Sequence, residues 1–173
     1  VRRLTDGVAY LLKNSGVDVF NEQAELKPGR VVRANGRDYS AKNIIIATGS
    51  QPAKIPIPGA ELTIDSTAAL SLMRVPKNLS VIGAGVIGLE LASAFASFGS
   101  KVTILEVVEN LLPGEEGNAT KRLAREIQKS NIEIVLGAKV GSITKTDNGL
   151  RVTYSSRENQ KQIETDQVLM AVG

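Results

Sequence analysis

Apolar residues recur along the first segment at intervals of three and four. Leu4, Val8, Leu11 and Leu12 predict a helix over 2–15, with Gly16 as its C-terminal cap. The period then changes. "VDVF" at 17–20 alternates as a strand does, and 24–43 breaks into short strands at Pro28-Gly29 and Asn35-Gly36, the latter a hairpin signal. "IIIA" at 44–47 is a continuous β-branched run, which predicts a strand buried on both faces of a parallel sheet. Three prolines and two glycines in 49–59 predict a linker or domain boundary.

Beyond that stretch, a short helix is expected around Ser66–Met73 and a strand at 79–83. A helix follows at 86–98, with Ile87, Leu91, Phe95 and Phe98 as its apolar positions, then a second strand at 101–106. Residues 118–130 read as a helix with Asn118 as N-cap and Leu123 and Ile127 four apart. The strand "IEIVL" at 132–136, a meander through 141–154 and an apolar run at 168–173 complete the chain. The two halves share an order: a helix, then "VDVF" or "IEIV", turn-rich strands, and a run ending "IIIATG" or "VLMAVG". This predicts two related dinucleotide-binding domains, 1–60 without its front part and 61–173 with a full strand–loop–helix–strand unit. Chance likeness between short β meanders is the alternative. The expected class is α/β: a Rossmann-like doubly wound parallel sheet with a three-stranded antiparallel meander, plus a partial second domain.

Gly83, Gly85 and Gly88 form G-x-G-x-x-G between the predicted strand and helix, and the second strand ends in Glu106, close to the spacing of a dinucleotide site. Each position has a physical task. Gly83 permits the tight turn, Gly85 lets a pyrophosphate approach the backbone, and Gly88 lets the helix settle on the sheet. The N–H groups around Val86, Ile87 and Gly88 lack intrahelical partners and face an anion at the positive end of the helix dipole. Glu106 is placed to accept hydrogen bonds from ribose hydroxyls; a solvated acid at a strand end is the alternative. Glu90 is expected near the same helix start, where an acid is also favoured simply as a helix-stabilising surface residue.

Composition narrows the chemistry. The chain has neither Cys nor His, which excludes thiolate nucleophiles, redox disulfides, Cys/His zinc sites and Ser-His-Asp triads within it. The net charge of +3 is weak and scattered, +4 in residues 1–60 and −1 in 61–173, and only three Phe and three Tyr are available for base stacking, so nucleic acid is not an expected partner. No apolar run approaches the roughly 20 residues that span a bilayer, so no membrane association is expected.

"VIGAGVIGLELASAFASFGSKVTILE", "NIIIATGSQP" and "VLMAVG", in that order, resemble the pyridine nucleotide–disulfide oxidoreductases, and the likeness runs over essentially the whole chain. Within the family the chain is most similar to the lipoamide-acting branch, with glutathione- and mercuric-reductase relatives as alternatives. The resemblance implies that 1–60 is the second half of an FAD-binding domain and 61–173 an NAD-binding domain. It implies NAD contacts at Gly83, Ala84, Gly85, Val86, Ile87, Gly88, Leu89, Glu90, Glu106, Val140 and Gly173. It implies FAD contacts, in a full-length parent, at Ala24, Thr48, Gly49 and Ser50. The implied partners are a lipoyl-bearing protein of a 2-oxo acid dehydrogenase complex and a second copy in a homodimer, in the cytoplasm. The family's first glycine-rich flavin motif, redox Cys pair and His-Glu pair are not matched. The chain is therefore expected to be an excised or truncated piece, inactive alone, with a stand-alone nucleotide-binding or regulatory module as the other reading.

Overall fold

A computed structural model describes residues 2–127, 129–157 and 159–172. The chain divides into two compact units, Val1–Gly49 and Ser50–Gly173.

In the first unit, helix α1 (Arg2–Asn14) ends as expected through Gly16, whose φ of 69° closes the turn. Strands β1 (Ala24–Lys27), β2 (Val31–Ala34) and β3 (Arg37–Ser40) form an antiparallel sheet in sequence order. Asn35 and Gly36, both at positive φ, make the β2–β3 turn, the conformation that matches the twist of a two-residue hairpin. Arg33 and Asp38 face each other across it, with guanidinium Nε and Nη2 donating to the two carboxylate oxygens at 2.6 and 2.8 Å. That fork raises the pKa of Arg33 and lowers that of Asp38, in each case chiefly through the side-chain hydrogen bond.

Two expected strands are absent. Residues 17–20 and 44–47 are irregular, and Ile45 and Ile46 are 90% and 71% exposed. A strand exists only through a neighbour that takes up its N–H and C=O groups. Among the described residues none pairs with either run. The β-branched sequence supplies the propensity but not the partner.

The second unit follows the predicted order closely. A single 3-10 turn (Ala60–Leu62) precedes α2 (Ser66–Leu70), which is capped by the Asp65 carboxylate accepting from the Ala68 amide at 2.8 Å. Strands β4 (Asn78–Ile82), β5 (Lys101–Leu105), β6 (Ile132–Val135) and β10 (Gln167–Met170) form one parallel sheet in the order β10-β4-β5-β6. Strands β7 (Lys139–Thr146), β8 (Gly149–Ser156) and β9 (Asn159–Thr165) form an antiparallel meander. Both faces of the parallel sheet are apolar because each is covered. Leu79, Val81, Val102, Ile104 and Leu169 cluster with Leu89, Ala92 and Phe95 of α3 (Val86–Ser97). Ile82, Leu105, Val168 and Met170 cluster with Val140, Ile143, Val152 and Tyr154 of the meander. Alternate residues of each strand thus serve opposite cores.

Three local expectations need correction. Ile87 and Phe98, expected on the apolar face of α3, are 52% and 69% exposed, and the buried face is Gly88, Leu89, Ala92 and Phe95. This helix is apolar on nearly every side, so periodicity did not select the face; the small residues Gly88 and Ala92 did, by allowing close approach to the sheet. The cap of α4 (Gly117–Ile127) is not Asn118 but Glu116, whose carboxylate accepts from the amides of Asn118 and Ala119 at 2.9 and 2.8 Å. Those two bonds lower the pKa of Glu116. Helix α2 stops at Leu70, short of the expected Met73.

The division between units falls at the head of the proline-rich stretch. Ile55 and Ile57 lie against the meander-side core, and Pro58 accepts from the Ile143 amide at 2.9 Å.

Candidate functional site

The site grows from the C-terminal ends of the parallel strands. Where β4 ends, Gly83 takes a φ of 106° and its amide donates to the Leu105 carbonyl at 2.9 Å. A Cβ at Gly83 would stand 2.5 Å from the carbonyl oxygen of Ala171, and one at Gly88 would overlap the carbonyl oxygen of Gly83. Both glycines are therefore demanded by the chain's own packing. Gly85 differs. Its φ of −74° suits any residue, and nothing lies within 4 Å of where its Cβ would be. It is the N-cap of α3 and has no side chain with which to cap it. The amides that open α3 thus have no side-chain cap from this position, and Gly85, Val86 and Ile87 line a cavity.

Glu106, at the end of β5, is 8% exposed, and its position is fixed on every side. Its Oε2 accepts from the Ala84 amide at 2.7 Å, and its Oε1 accepts from the Val108 amide at 3.0 Å. Its backbone bridges to the next strand: its amide donates to Val135 at 3.0 Å and its carbonyl accepts from Ala138 at 2.7 Å. The Leu112 amide, donating to the Ala84 carbonyl at 3.1 Å, folds segment 107–112 back over the glycine loop. The carboxylate is thus tied to the loop itself, with lone pairs remaining on both oxygens for a further donor.

A cavity of about 450 Å³ opens here, lined by Gly83, Gly85 and Glu106 on one side and by Val140, Pro113, Ile55 and Ile57 on others. A second cavity of about 550 Å³ takes in Gly85, Val86, Ile87, Ser50, Ala171 and Val172. Gly85, Ala171 and Val172 line both. Of the residues expected to contact NAD, Gly83, Gly85, Glu106 and Val140 line the first cavity, and Val86 and Ile87 line the second, while Ala84 is buried with its amide on the Glu106 carboxylate. Gly88 and Leu89 are buried on the sheet side of α3, and Glu90 is exposed and lines neither cavity. Gly173 lies outside the described residues. Of the positions expected to contact FAD, Ala24 opens β1, and Thr48 and Gly49 are exposed in irregular backbone. Ile55, Ile57 and Pro113 were not anticipated. The proline-rich stretch reads as a connector in sequence, and only its packing makes it a wall.

Among the described residues, no group of His, Cys, Asp and Glu is arranged to hold a metal ion, and no helix is long and apolar enough to cross a membrane.

Comparison with known proteins bears on what such a site serves. The chain is 40% identical over 179 residues to a dihydrolipoyl dehydrogenase of Acholeplasma laidlawii, covering 100% of this chain and 52% of that protein. It is 42% identical over 178 residues to the dihydrolipoyl dehydrogenase of Staphylococcus aureus, of which it covers 38%. Its fold matches the HOCl-induced flavoprotein disulfide reductase RclA of Escherichia coli with a TM-score of 0.74 at 34% identity, over 99% of this chain and 41% of that one. The chain therefore spans about half or less of the length of these relatives. The model for the pyridine nucleotide-disulphide oxidoreductases matches residues 1–173. A parallel sheet with a glycine loop, a covered second face and this match over its full length together place the chain in the pyridine nucleotide-disulphide oxidoreductase family.

Proposed function

We propose that residues 61–173 bind NAD(H) as the nicotinamide-nucleotide portion of a flavin-dependent disulfide oxidoreductase, one acting as a dihydrolipoyl dehydrogenase. Residues 1–60 are the second half of its FAD-binding domain. One observation carries this reading. Gly85 is the one glycine of the motif that the chain's own packing does not require, and it lines both cavities at the start of α3. An absent Cβ with nothing against it is the cradle a pyrophosphate needs.

In this reading the amides of Val86, Ile87 and Gly88 hold the pyrophosphate at the positive end of α3. Glu106 accepts from the adenosine ribose hydroxyls, Val140 and Gly173 make further contacts, and Glu90 stands toward the nicotinamide. Ala24, Thr48, Gly49 and Ser50 belong to the flavin site of the whole protein. When bound, NAD and FAD supply the hydride and electron transfer; the chain's residues orient the nucleotide and exclude water around it. With no Cys and no His, the 173 residues hold neither the thiols nor the imidazole that a dithiol substrate needs, so the chain alone is inactive. The whole protein is a cytoplasmic homodimer that meets the lipoyl-bearing protein of a 2-oxo acid dehydrogenase complex.

Titrating NADH against the purified chain while following nicotinamide fluorescence tests the reading. Saturable binding at one site, displaced by NAD⁺, is the expected result. A linear, non-displaceable signal overturns it.

A further inference from the structure

The first cavity holds a charge that the glycine motif and its acid leave unexplained. Lys139, at the start of β7, is its only cationic lining residue. Among the described residues it takes part in none of the ion pairs, which are Lys27–Glu25, Arg33–Asp38, Lys129–Glu126 and Arg151–Glu164.

Its place is set by backbone register. The glycine loop follows β4, Glu106 follows β5, and residues 137–139 follow β6, and these strands are neighbours in that order. On one side the Glu106 carboxylate accepts from the Ala84 amide. On the other, the Glu106 carbonyl accepts from the Ala138 amide, one residue from Lys139. Lys139 thus lies beyond Glu106, on the side away from the loop that faces the pyrophosphate. The carboxylate of Glu109 lies close by, in contact with the place a Cβ would take on Gly137, two residues before Lys139.

We propose that Lys139 is a specificity-determining residue of the ribose end. It offsets the repulsion that Glu106 and Glu109 exert on a 2′-phosphate, so that the site disfavours NADPH less than its two acids alone would. The inference rests on the nucleotide reading of this cavity and adds a cation that lies well beyond the strand end of Glu106 in sequence. The physical basis is simple. NADH and NADPH share the pyrophosphate, whose interaction with any lysine cancels in the ratio of their affinities. Only the 2′-phosphate, with a charge near −2, distinguishes them.

The test is to titrate NADH and NADPH against the full chain and its Lys139→Met and Lys139→Gln variants, at low and at high salt. Removing the ammonium is expected to weaken NADPH relative to NADH by roughly three- to tenfold at low salt, and by less at high salt, because exposed charges are screened. Either variant that folds suffices, and Lys139→Arg is expected to restore the ratio. Equal weakening of both nucleotides would assign Lys139 to the pyrophosphate and overturn the proposal, as would an unchanged ratio. Wild-type chain that binds neither nucleotide would instead overturn the nucleotide reading itself, before any variant is compared.

Discussion

Gly88→Ala is expected to destabilise the second unit, whereas Gly85→Ala is expected to leave it folded and weaken its hold on NADH. A methyl group at position 88 would overlap the Gly83 carbonyl and meet the Ala171 side chain, and the buried backbone there has nowhere to move. Overpacking of this kind costs about 1–3 kcal/mol. At position 85 the backbone is already in a conformation open to any residue, and the added methyl meets nothing in the protein. The poorer N-cap and the stiffer unfolded chain act in opposite directions, leaving a net change within about 1 kcal/mol. In the proposed nucleotide site the methyl would meet the pyrophosphate. Losing one charge-assisted hydrogen bond from the α3 amides amounts to about 1.5–3 kcal/mol, or roughly 10- to 150-fold in affinity. Thermal unfolding and NADH titration of both variants separate the two effects. A Gly85→Ala chain with unchanged affinity would mean that no ligand approaches the loop there.

Wild-type chain is expected to prefer NADH to NADPH by about 5- to 150-fold, and Glu106→Arg to narrow or reverse that gap. In the proposed site a ribose 2′-hydroxyl would donate to the carboxylate, while a 2′-phosphate would meet it as a like charge; the lost bond and the repulsion together amount to about 1–3 kcal/mol. The structure adds a cost to the variant. Both oxygens of Glu106 accept backbone amides, from Ala84 and Val108, and arginine has no acceptor to offer them. Leaving a buried amide unsatisfied costs about 1–3 kcal/mol, so Glu106→Arg is also expected to melt at lower temperature. Glu106→Gln, which keeps one acceptor, is the milder control. Equal wild-type affinities for the two nucleotides would mean that Glu106 does not read the ribose.

Much of this site is written locally. The turn after β4, the start of α3 and the acid after β5 are all marked by residue type within 24 positions, and the parallel strands between them are short apolar runs bounded by turn signals. The strand orders and the two cores follow from these elements. What was not legible depends on distant partners. Ile44 to Ala47 carries strand propensity, but pairing needs a neighbour that the sequence pattern does not name. The buried face of α3 was set by what Gly88 and Ala92 allow, because an almost wholly apolar helix has no periodic contrast to read. Glu106 was recognisable as an acid at a strand end. Its two amide donors were not, since one belongs to a loop 22 residues away. Ile55 and Ile57 become part of the cavity only through the fold of a stretch that looks like a connector. The cap at Glu116 was missed because Asn118 offered a residue type more often found there.

In the proposed function a dinucleotide lies across the start of α3 between Glu106 and the second cavity. Amide chemical shifts of isotopically labelled chain, followed by NMR as NAD⁺ is added, test it most directly. Saturable shifts centred on Gly83 to Gly88 are expected, with Val108 and Val140 following at the same midpoint and the outer residues of β8 and β9 unmoved. Saturable shifts that leave the glycine loop untouched, or no shifts at millimolar nucleotide, would contradict it.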